Sequence, residues 1–165
     1  MSPRPLNERL KIELDFIRSQ LTEATEALTT ADLDWAPTID MKSYRKILIE
    51  IGVTEIISLR LMRNGTLTDW DIAWGDIEKA GVDAPSLMTA LADIRSETIA
   101  YLAAAGDNAV IERITIPEQW AFAFGGTAEV EREELIREIA RHEYYHVGQI
   151  VTYRWAQGHS PYTPG

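Results

Sequence analysis

Apolar residues recur at three- and four-residue steps near the start of the chain. Leu10, Leu14, Ile17 and Leu21 form one stripe of an amphipathic helix, predicted over 6–28 and preceded by Pro3 and Pro5. The periodicity lapses over 29–40, a linker holding Trp35 and Pro37. A second helix is predicted from Met41 to a stop at Asn64-Gly65. Between Ile47 and Met62 it is apolar around most of its circumference, which places it deep in a bundle. The stretch from Thr66 to Ala84 is rich in Trp, Asp and Gly and is expected to be a long loop with at most a short helical turn. Pro85 suits a first helical turn and opens a third helix, with Leu87, Leu91, Ile94 and Ile99 as core positions and an end before Gly106.

The pattern changes over 109–128. Val110, Ile111, Ile114 and Ile116, then Trp120 to Phe124, are short β-branched and aromatic runs divided by Pro117, which predicts a hairpin or extended excursion. Thr127 is the expected N-cap of a last helix over Ala128–Gln157, stopped by Gly158. Four long helices and one long crossover make this an all-α four-helix bundle with a hairpin excursion before its last helix, one domain over 1–165.

Charge and composition narrow the function. Sixteen Lys and Arg against 26 Asp and Glu leave a formal net charge of −10, a surface that repels a phosphate backbone, so nucleic acid is not an expected partner. The absence of cysteine excludes disulfides, thiolate nucleophiles and sulfur-ligated metals. No run approaches a membrane span, and the first residues lack the apolar core of a signal peptide, so no membrane partner and a cytoplasmic location are expected.

The chemical signal lies in Arg141-His142-Glu143-Tyr144-Tyr145-His146. Histidines four apart share one helical face, where two neutral imidazoles can converge on Zn, Ni or Fe; two hydrogen-bonded histidines with no ion are the alternative. The same residues spell H-E-x-x-H, but the zincin reading lacks a third ligand, because no Asp or Glu follows His146 and position 152 is threonine. Glu50, set in Ile47-Leu48-Ile49-Glu50-Ile51, is a candidate from the second helix, since a carboxylate among aliphatic side chains is costly unless it is paired or ligates a cation. Pairing with Lys46 one turn back is the bland alternative, and Glu55 points about 140° away from Glu50. Tyr145 and Gln149 flank the histidines and are candidate supporting groups, whereas Glu143 is expected to serve bundle packing or the helix surface. A loop bearing Trp70 and Trp74 is a candidate cover for a pocket.

These features together resemble the DinB/YfiT-like superfamily over nearly the full chain: Asp34-Trp35-Ala36-Pro37, Ser43 before an apolar helix, His142-Glu143-Tyr144-Tyr145-His146-Val147-Gly148-Gln149-Ile150, and Gly158-His159-Ser160-Pro161. The resemblance implies a divalent ion held by one histidine of the second helix and two of the last, the latter matching His142 and His146. Leu48-Ile49-Glu50-Ile51 departs from it, with glutamate where the family shows histidine. The metal set expected here is therefore Glu50, His142 and His146, unless the site has decayed. The resemblance further implies a metal-dependent enzyme acting on a small molecule, a transferase or isomerase using a low-molecular-weight thiol, and a homodimer. A non-catalytic binding or stress-response bundle with a structural or lost metal is the second class.

Overall fold

The computed structural model describes residues 4–159. The ends of the expected 1–165 domain, with Ser160 and Pro161 of the carboxy-terminal match, lie outside the described residues. Five α-helices follow in order: α1 (Leu6–Thr25), α2 (Tyr44–Asn64), α3 (Trp70–Ala80), α4 (Ala84–Val110) and α5 (Arg132–Ala156). The four long ones pack as a bundle, and the expected α1 stripe of Leu10, Leu14, Ile17 and Leu21 is buried.

Local chemistry accounts for several helix ends. The Ser43 side chain accepts from Lys46 N at 3.4 Å to open α2, and Gly65 closes it in the left-handed conformation at φ 65. Asp83 and Ser86 form a reciprocal capping box at the start of α4, with Pro85 in its first turn. Gly52 marks a close approach of α2 to its neighbours. A Cβ there would lie 2.7 Å from a Leu91 methyl and 2.9 Å from an Ile77 methyl.

Four expectations need correction, the last of them in the excursion before α5. The stretch expected as a loop contains α3, an 11-residue helix capped by Asp69, whose side chain accepts from Asp71 N and Ile72 N. Its buried face is only Ala73 and Ile77, one turn apart, too narrow a stripe to stand out among exposed Trp and Asp. Helix α4 does not end before Gly106; the chain kinks there at φ 66 and regains helix as far as the buried Val110. Thr127 caps no helix. Its Oγ1 accepts from Glu129 N at 3.2 Å and turns the chain into a strand, so α5 starts at Arg132.

The excursion itself pairs two short antiparallel strands, β1 (Arg113–Thr115) and β2 (Glu129–Glu131), with Ile114 opposite Val130. Between them the aromatic run expected as extended is a 3-10 helix over Glu118–Phe124.

The interior of the bundle is not wholly apolar. Arg18 of α1, Glu55 of α2, Arg95 of α4 and Glu143 of α5 meet in one ionic cluster in which both carboxylates and Arg95 are buried. Arg95 Nε donates to Glu55 at 2.7 Å, Arg18 Nε donates to Glu143 at 2.7 Å, and each guanidinium also donates to a backbone carbonyl, at Leu14 or Leu91. Burial alone would depress the Arg95 guanidinium, but Glu55 and then Glu143 outweigh it and hold its pKa above the ordinary value. Two cations and two anions cancel, and every long helix contributes one of them.

Candidate metal centre

Helical spacing brings His142 and His146 to the same side of α5, and packing against α2 sets Glu50 opposite them. One ligand atom from each of the three lies within 4.8 Å of the others. The two Nε2 atoms are 3.2 Å apart, and His146 Nε2 is 3.8 Å from Glu50 Oε2. Ligands about 2 Å from a tetrahedral zinc are roughly 3.3 Å from one another, so the histidine pair has the spacing of two such ligands and Glu50 needs only a small approach.

Tautomer and protonation also suit ligation. The Gln149 amide donates to Tyr145 OH at 2.9 Å, which leaves its Oε1 to accept from His146 Nδ1 at 2.7 Å. That bond assigns the proton to Nδ1 and keeps a lone pair on Nε2, facing His142 and Glu50. Desolvation, then repulsion by His146, depresses His142 to about pKa 4. Desolvation also lowers His146, against the opposing pull of Gln149 and Glu50. Both imidazoles are therefore neutral near pH 7. Thr54 Oγ1 lies 3.5 Å from His142 Nε2.

Glu50 is half-buried and pairs with Lys42, not with Lys46 one turn back. Lys42 precedes the α2 N-cap and bends its ammonium onto the carboxylate from outside. Glu55 faces the opposite side of α2, into the ionic cluster. Glu143 is fully buried and engaged by Arg18 and Arg95, so it points away from the histidines and cannot act as the general base that a zincin needs. Both carboxylates are bundle-packing groups. Glu55, like Glu50, is a carboxylate in an apolar stretch of helix, and that setting is what marks both as groups in need of a cation.

Beside His142 and Glu50 opens a cavity of about 210 Å³. Thr54, Ser58 and Leu135 line it, with Trp70 from the start of α3 and Trp120, Phe122 and Phe124 from the 3-10 helix. Of the two tryptophans expected to cover a pocket, Trp70 lines this one, whereas Trp74 packs against the core.

A family model described as the DinB superfamily matches residues 13–150, a span that includes α2 and both histidines. No curated protein matches the chain.

Proposed function

The chain belongs to the DinB superfamily, and from that premise we propose a divalent-metal-dependent enzyme that acts on a small molecule, using Glu50, His142 and His146 as its metal ligands. The observation that carries this is a three-donor set, two neutral nitrogens and one carboxylate, of which Glu50 and His142 line a cavity. A set of this composition suits Zn or Fe and leaves coordination positions for a substrate. An ion held there supplies Lewis acidity to a substrate atom, as thiol-dependent transfer or isomerisation requires. In this reading Gln149 and Tyr145 orient His146, and the aromatic wall flanks the side from which a substrate reaches His142. The low-molecular-weight thiol rests on the resemblance to thiol-dependent transferases.

The Lys42–Glu50 pair favours a second reading, in which lysine has replaced the ion and the bundle binds a ligand without catalysis. Elemental analysis and zinc calorimetry on untagged protein separate the two. Stoichiometric metal in the wild type is expected, with loss in His142→Ala and His146→Ala. Glu50→Gln, which keeps the shape and removes the charge, is expected to weaken binding at least tenfold. Wild-type protein that takes up neither zinc, nickel nor ferrous iron would sustain the non-catalytic reading.

A further inference from the structure

The geometry points to an uncharged substrate with a single aromatic ring or an apolar body of that size, lying between the Trp70–Trp120–Phe122 wall and α5 with its reacting heteroatom toward His142. This deepens the proposed function and rests on it for the metal end. Size is the first guide: an apolar cavity of about 150 Å³ accepts benzene, so about 210 Å³ accommodates one ring with a short substituent.

Surface chemistry is the second. Four aromatic side chains line the cavity and offer ring faces and edges. Its charged lining residues are two carboxylates, Glu50 at the ligand end and Glu138 one helical turn away on α5; neither Lys nor Arg lines it. Arg141 reaches Glu138 Oε2 at 2.9 Å but also faces Glu134 at 3.6 Å, so its charge is shared between two carboxylates. A carboxylate or phosphate projecting from the far side of the ring would approach Glu138 with no cation in the lining to receive it. The protein's net charge of −10 adds to that repulsion.

The test compares three thiols by calorimetry and tryptophan fluorescence, in zinc-loaded and metal-free protein: phenylmethanethiol, 4-(mercaptomethyl)benzoate and 2-mercaptoethanol. Phenylmethanethiol is expected to bind at least tenfold more tightly than either of the others. In metal-free protein all three weaken, but the order persists, because the wall belongs to the chain. Phe122→Ala, at an 86% exposed position where folding is not at stake, should cut the preference for the ring severalfold. Glu138→Gln should narrow the gap between the neutral and the carboxylated ring. Equal affinities for the three thiols, or tighter binding of the benzoate, overturn the inference. Protein that fails to take up zinc yet keeps the ring preference defeats the metal reading and leaves this one standing.

Discussion

Burial makes His142 a weak base, and the consequence for pH has a definite sign. Its folded-state pKa, near 4, lies below the ordinary 6.5, so in metal-free protein its contribution is fully present above pH 6.5 and is lost as pH falls through about 4. At about 1.4 kcal/mol per unit, the loss is on the order of 3 kcal/mol at pH 4. His146 is shifted the same way and adds to it. Urea midpoints of metal-free protein are expected to fall between pH 6.5 and 4, and His142→Asn should flatten that fall; a slope identical in the variant would show that His142 protonates freely when folded. The downward shifts of both histidines move proton competition for the metal below the usual histidine range, so affinity should fall off at a lower pH than for ordinary imidazole ligands. The histidine pair was legible in sequence because four-residue spacing is a local property. The partner of Glu50 was not, because Lys42 reaches it around the α2 N-cap, a path that helical periodicity does not describe.

Each long helix sends one charged side chain inward, and the resulting cluster ties α1, α2, α4 and α5 together. Removing one partner of a buried ion pair strands the other charge and typically costs about 3–5 kcal/mol. Glu143→Gln, nearly isosteric, is therefore expected to lower stability by an amount in that range, through its lost bonds to Arg18 and Arg95. Arg113→Ala, at an exposed pair with Glu129, should change it by less than about 0.5 kcal/mol. Denaturant midpoints decide the matter, and an unchanged midpoint for Glu143→Gln would mean that the cluster does not hold the helices. Among the elements, the long helices were predicted from their stripes and caps. Helix α3 and the 3-10 helix were missed for related reasons: each is short, and each owes its order to what it packs against. Ala73 and Ile77 anchor α3 in the core, and Trp120 packs against both core clusters.

At the scale of the molecule, no helix among the described residues is long and apolar enough to cross a membrane. Ile12 and Phe16, four apart on α1, are nonetheless 48% and 59% exposed. An exposed apolar pair on a long helix suits burial against a second copy, and a C₂ homodimer is the expected assembly. Light scattering should give a mass near twice 18.6 kDa, and Phe16→Glu should shift it toward the monomer. A mass of 18.6 kDa at all concentrations rules the dimer out.

By itself the sequence determined whatever repeats along one helix: which faces are apolar, where caps and glycines end them, and that two histidines share a side. Tertiary structure alone decided that Glu55 and Glu143 are drawn into the arginine cluster and that Lys42 is the cation that reaches Glu50. Glu50, Glu55 and Glu143 all lie on helices rich in apolar residues, and helical pattern cannot say which neighbour each will face. Packing resolved it, because a buried charge is tolerable only beside its counterion. Packing also folded the aromatic run from Trp120 to Phe124 over His142, making a wall from residues that locally suggested only a strand.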